Sequence, residues 1–212
     1  ALQAKMEIVL SKALTPSAAN ICAMAVGHFA DHGYDASSLN EIAILAGMRK
    51  ASLYAHFASK DALFHQVFEL ALAHELDHVA SCFAAEIGSN AIVGQCYAER
   101  LIERYEQSAH LRFLLRTAFL PPAELRTAVS AGYEHYLGQI REAFADLLHT
   151  RHAWAQHDQV RVETYAEAYL GIIDSLHVEL FYASAQTCER RIVALFRLLG
   201  DSMSLARHAE TP

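Results

Sequence analysis

The chain has 212 residues, a formal charge of −7 and only nine glycines and four prolines. Ala and Leu, both strong helix formers, supply 64 residues, so a sandwich, a barrel or a disordered chain is excluded and an all-α fold is expected. No apolar run reaches the ~18 residues a membrane span needs. The N-terminal stretch carries its lysines within the apolar part rather than ahead of it, so it does not read as a signal peptide. A soluble, cytoplasmic protein without membrane contact is expected. Cys22, Cys82, Cys96 and Cys188 form no C-x-x-C pair, which suits buried thiols in a reducing compartment.

Charge is unevenly placed. Residues 1–65 hold five cations against five anions, so the whole acidic excess lies beyond them. Within residues 38–60, Arg49, Lys50 and Lys60 face Glu41 alone, a small basic patch on an acidic body.

The first helical pattern begins at Pro16 and runs to about His32, with Ile21, Ala25, Val26 and Phe29 on one face and Gly33 as its stop. Ser38-Leu39-Asn40-Glu41 has the form of a capping box. It opens a short helix with Leu39, Ile42, Ala43 and Ala46 as its stripe, closed by Gly47. A second short helix fits Arg49 to His56, with Leu53 and Phe57 inward, and Ser59 caps a long helix from Lys60 to about Glu86. Two short helices joined by a tight turn form a helix-turn-helix. Further helices are expected at 90–107, 109–119, 122–152, 158–184 and 187–206. The helix at 158–184 is apolar on two adjacent stripes, and the last helix repeats the pattern with Ile192, Leu195, Phe196, Leu199 and Met203. So much apolar circumference needs two partners. One side can cover the core and the other a second subunit, with Leu176, Leu180, Leu195 and Leu199 as the expected dimer contacts.

Residues 37–63, SSLNEIAILAGMRKASLYAHFASKDAL, resemble the DNA-binding segment of the TetR family of bacterial transcriptional regulators. The helix before them, with Ile21, Ala25, Phe29, Gly33 and Tyr34, resembles that family's first helix. The specific part is Ile42-Ala43, Ala46-Gly47, Leu53-Tyr54, His56-Phe57 and Ser59-Lys60 at uninterrupted spacing. The resemblance implies a three-helix DNA-binding bundle over residues 1–66 and a larger helical regulatory and dimerisation domain over 67–212. It also implies a homodimer on a palindromic double-stranded operator, more often a repressor, released by a small-molecule effector. By the same resemblance Ser38, Lys50, Ser52, Tyr54, His56 and Lys60 occupy operator-contacting positions. Arg49 stands where the family has a small capping residue; it is a poor N-cap, but it can pair bidentately with guanine. Inward aromatics of the middle helices, Phe113, Phe119, Tyr133 and Tyr169, are candidate effector contacts. Neither catalysis nor a cofactor is implied.

One rival motif stands apart. His74-Glu75-Leu76-Asp77-His78 spells H-E-x-x-H, in which two histidines on one helical face hold zinc and the glutamate is the base. No third ligand follows at metallopeptidase spacing. The weaker alternative keeps His74 and His78 as a metal sensor without catalysis.

Overall fold

The structure, a computed structural model, describes residues 14–183 and 185–208. The N-terminal stretch read above for targeting signals lies outside them. Among the described residues there are nine α-helices and no strand: α1 (Pro16–Ala36), α2 (Leu39–Leu45), α3 (Lys50–Tyr54), α4 (Lys60–Glu86), α5 (Gln95–Gln107), α6 (Ala109–Phe119), α7 (Arg126–Arg151), α8 (Gln159–Tyr182) and α9 (Ala185–His208). No described helix is long and apolar enough to cross a membrane. The chain forms two compact units, Ala1–His74 with Ala109–Ala131, and Glu75–Ser108 with Gly132–Pro212.

In the first unit α1 packs along α6. Thr15 caps α1 by accepting from the Ala18 amide at 3.3 Å, with Pro16 at the first helical position, where its missing N–H is no loss. Phe29 and Phe113 are fully enclosed and Phe64 nearly so. The Phe64 ring lies 5.0 Å from Phe29 and 5.1 Å from Phe113, edge-on to both, the favoured arrangement for aromatic quadrupoles. Gly33 ends the regular part of α1 at φ 78°, ψ 175°. A Cβ there would sit 3.0 Å from the Arg116 guanidinium, the movable end of a long side chain, so it is the backbone angle that calls for glycine.

The second unit buries two ion pairs. Arg104 grips the enclosed Glu75 carboxylate at 2.8 and 3.1 Å. Glu86, equally buried, accepts from the backbone amides of Gly94 at 2.8 Å and Cys96 at 3.3 Å, and Arg151 stands 3.5 Å away. It thereby satisfies amides that open α5, which a helix start leaves without intrahelical partners. Gly94 adopts φ 80° beneath the Tyr169 ring, whose hydroxyl donates to the Gly94 carbonyl at 2.9 Å. Phe144 stacks on Tyr169 at 4.2 Å. Deeper still, the Tyr97 and Tyr136 hydroxyls meet at 2.6 Å, and Tyr133 bonds His177 Nδ1 at 2.9 Å.

Several boundaries differ from expectation, two of them for local reasons. The helix expected from residue 90 starts at Gln95, because Ser89 takes the Ala91 amide and the left-handed Gly94 reverses the chain. The helix expected from 122 starts at Arg126, after a 3₁₀ turn over Ala123–Leu125 that follows the proline pair. The last helix starts at Ala185 and continues to His208.

Burial keeps His177 unprotonated down to about pH 3, whereas an imidazole in the unfolded chain titrates near 6.5. Between these values the unfolded state binds the extra proton. The stability present above pH 6.5 is therefore lost as pH falls, by up to about 1.4 kcal/mol per pH unit. Urea unfolding from about pH 7 to about pH 4 should show a shallower decline in His177→Phe than in the wild type; parallel declines would contradict the buried neutral imidazole.

Candidate nucleic-acid interface

The helix-turn-helix is built from its apolar side outward. On α2, Leu39, Ile42 and Ala43 are buried while Ile44 and Leu45 are exposed. Ser38 caps the helix from extended backbone, accepting from the Glu41 amide at 3.1 Å. Glu41 extends its carboxylate toward His28 Nε2, 3.4 Å away, instead of reaching back in a full capping box. The turn is closed by Gly47 at φ 69° and by the Met48 amide donating to the Ala43 carbonyl at 2.9 Å. Asn20 of α1 pins it from outside, donating to the Ala46 carbonyl at 2.9 Å. Nothing in the local sequence pattern marks Asn20 for this role, since its partner lies 26 residues away.

Helix α3 is shorter than expected, five residues from Lys50. Arg49 precedes it without a side-chain cap bond, as its side chain predicts. Leu53 is fully enclosed and Phe57, just beyond, is 7% exposed. Those two anchors leave Arg49, Lys50, Ser52, Tyr54 and His56 exposed on the outside of the same short segment. Tyr54 is 47% exposed, and the Lys50 ammonium lies 5.9 Å from its ring centre. The segment thus presents two fixed cations, two hydroxyls and an imidazole over barely two turns. This is the donor set that reads base edges and phosphates when a helix N-terminus enters a major groove.

Ser38 and Lys60 stand differently. The Ser38 oxygen is occupied as an acceptor, which leaves its hydroxyl proton to give. Lys60 bonds the carbonyls of Tyr34 at 2.8 Å and Ser37 at 3.2 Å, with its ammonium 4.1 Å from the Tyr34 ring centre. It closes the C-terminal end of α1, and of the three protons of its ammonium one is left for a phosphate. Ser59 caps α4 by accepting from Ala62 at 3.1 Å. Tyr34 donates its hydroxyl to Asp61. Burial, followed by that carboxylate, pushes the Tyr34 hydroxyl up to about 12.

The four effector candidates do not share one environment. Phe113 and Phe119 belong to the first unit, where Phe113 is part of the Phe29–Phe64 ring cluster. Tyr133 and Tyr169 belong to the second, Tyr133 bonded to His177 and Tyr169 packed with Phe144 and Phe83. Leu176 is wholly enclosed in its own unit and Leu199 nearly so, while Leu180 and Leu195 are half-buried.

The H-E-x-x-H residues have other partners. Both oxygens of Glu75 are held by Arg104, which is the wrong neighbour for a base beside a dication. His74 stacks on His110 at 4.2 Å. His78 lies beside Tyr97 with its Nε2 3.5 Å from Cys82 Sγ, and burial followed by Arg104 and Arg100 lowers its pKa to about 4. Among the described residues, no group of three or more His, Cys, Asp or Glu side chains is arranged to hold a metal.

If Lys60 closes α1 as the distances indicate, Lys60→Met should lower the stability of the protein by about 1.5–3 kcal/mol, the range for hydrogen bonds to charged groups. Ser38→Ala should cost about 1 kcal/mol through its cap. Arg49→Ala, which removes no such bond, should stay within about 0.5 kcal/mol of the wild type. Urea unfolding of the three variants checks the ranking, and equal losses would contradict the assigned contacts.

Residues 21–67 match the family model described as bacterial regulatory proteins, tetR family. Among solved structures, a putative TetR-family transcriptional regulator from Mesorhizobium loti is 20% identical. It superimposes with a TM-score of 0.65 over 88% of this chain and 97% of its own. The fatty acid degradation regulator FadR from Bacillus halodurans is 16% identical with a TM-score of 0.63, over 89% and 96% of the two chains. GusR of Salmonella enterica is 17% identical with a TM-score of 0.60, over 89% and 96%. No curated protein matches the chain. Residues 21–67 therefore match the DNA-binding segment of the tetR family of bacterial regulatory proteins, and the described helices share the fold of these solved structures.

Proposed function

We propose that the protein is a sequence-specific DNA-binding transcriptional regulator, acting as a cytoplasmic homodimer on a palindromic operator and, as a repressor, released by a small molecule. The carrying observation is the exposed face of the segment from Arg49 to His56, five polar side chains on and beside α3 held outward by the enclosed Leu53 and the nearly enclosed Phe57. Residues 1–66 supply the contact with DNA and residues 67–212 the effector and subunit contacts. Arg49, Lys50, Ser52, Tyr54 and His56 meet the major groove, with Ser38 and the remaining proton of Lys60 on phosphates. The acidic remainder of the chain repels DNA elsewhere, which confines binding to this face. Effector and operator are coupled because each prefers a different conformation, and the coupling is reciprocal.

Selection of bound DNA by the purified protein should yield a palindromic consensus. Lys50→Ala should weaken the consensus about tenfold or more and broaden the preference at one position of each half-site, as loss of a base contact does. Failure to enrich any sequence, or an unchanged profile in Lys50→Ala, would reject the assignment of this face.

For the subunit seam the candidates shift outward from the sequence expectation. Val160, Leu198 and Leu205 are 76%, 67% and 72% exposed, and Val160, Leu195 and Leu198 line an open apolar groove between α8 and α9. An exposed apolar strip of this kind is a typical subunit contact. Leu195 and Leu198 then carry the seam, with Leu176 and Leu199 supporting it from within. Light scattering should find a dimer for the wild type and a folded monomer for Leu198→Glu with Leu205→Glu; a dimeric double variant would place the seam elsewhere.

A further inference from the structure

Among the described residues of the second unit, two buried side-chain nitrogens have no hydrogen-bond partner, Trp154 Nε1 and His177 Nε2, and only the second belongs to a fully enclosed side chain. His177 is fully enclosed, its ring stacked 5.9 Å from that of Tyr136 at 20°. Its Nδ1 is 2.9 Å from the Tyr133 hydroxyl, and its Nε2 has no hydrogen-bond partner. Buried polar groups are almost always paired, so an unpaired nitrogen inside an aromatic cluster is a point at which a ligand gains a bond the protein alone does not make. Of the two groups at Nδ1 the phenol is the stronger acid and the imidazole nitrogen the stronger base. Tyr133 therefore donates, and the ring proton resides on Nε2.

The surroundings select the acceptor. Burial is the sole cause that lowers the pKa of His177, with neither a cation nor a carboxylate acting on it. Asp174, three residues before it on the same helix, is exposed. An anionic oxygen brought here would lose its hydration with no cation to compensate, whereas a neutral carbonyl oxygen loses little and accepts well. The rings of Tyr133 and Tyr136 lie 6.2 and 5.9 Å from the imidazole, centre to centre, aromatic surroundings that suit a flat apolar body.

We propose that the second unit binds a small apolar ligand carrying a neutral carbonyl oxygen, and that His177 Nε2 donates to that oxygen. This rests on reading the second unit as effector-binding, and it adds the chemical class and the recognising atom.

The test compares three probes of matched size on the full chain: acetophenone, isopropylbenzene and benzoate. Calorimetry on the wild type should show acetophenone bound at least tenfold more tightly than either of the others. The imidazole Nε2 resonance should move on addition of the ketone. In His177→Phe, acetophenone and isopropylbenzene should bind equally. Equal affinities in the wild type, a ketone preference that survives His177→Phe, tighter binding of benzoate, or no binding of the ketone would each overturn the proposal. The wild-type comparison decides the matter even where the variant does not fold. Selection of bound DNA is run on the same preparation without probe. Its failure would remove the regulator reading while leaving the ketone result intact, whereas its success beside equal probe affinities would remove only the ligand assignment.

Discussion

A five-residue helix cannot stand by itself in water, because nucleation fixes several residues before the first hydrogen bond is returned. Helix α3 has one turn and a little more, no side-chain cap at Arg49, and nevertheless one defined orientation. What holds it is the burial of Leu53 and Phe57, seconded by the Gly47 turn and the Asn20 bond that pins that turn to α1. Every polar side chain on its outer face takes its direction from those few contacts. The candidate DNA-reading surface is therefore a property of tertiary packing.

The same dependence runs through the rest of the first unit. Gly33 breaks α1, Ser37 donates to the Gly33 carbonyl at 2.6 Å, and Lys60 bonds the carbonyls of Tyr34 and Ser37. Three residues from two sequence segments thus close one chain reversal. The second unit solves a different problem, burying Glu75, Glu86 and His177 in apolar surroundings. The glutamates are matched with Arg104, Arg151 and backbone amides, as buried charge requires. His177 escapes the penalty by staying neutral.

Much of this was legible in the sequence, for reasons that can be named. The Ser38 and Ser59 caps, the Gly33 and Gly47 turns and the Leu53–Phe57 pair are local, set by spacings of a few residues, and they fall where the pattern places them. Long-range partners were not legible. Asn20 with Ala46, Lys60 with the end of α1, and Glu75 with Arg104 join residues 26 or more apart in sequence. A helical wheel cannot tell whether Glu75 belongs to an H-E-x-x-H site or to a salt bridge. The last two helices carry exposed apolar residues, but the period of 3.6 could not separate Leu176 and Leu199, enclosed in their own unit, from Leu198, which is exposed.

The division of labour within α3 has a consequence for how such a protein diverges. Leu53 and Phe57 carry the packing, whereas Arg49, Lys50, Ser52, Tyr54 and His56 are exposed. Exposed substitutions that break no cap and open no cavity change stability by only a few tenths of a kcal/mol. The outward positions are thus released from selection for folding and can drift from one residue type to another while the head keeps its shape. After gene duplication, two copies of this scaffold could come to serve different promoters through a handful of substitutions, each tolerated in any order. On the function proposed above, the stability of the head and the address it reads are written in separate sets of residues.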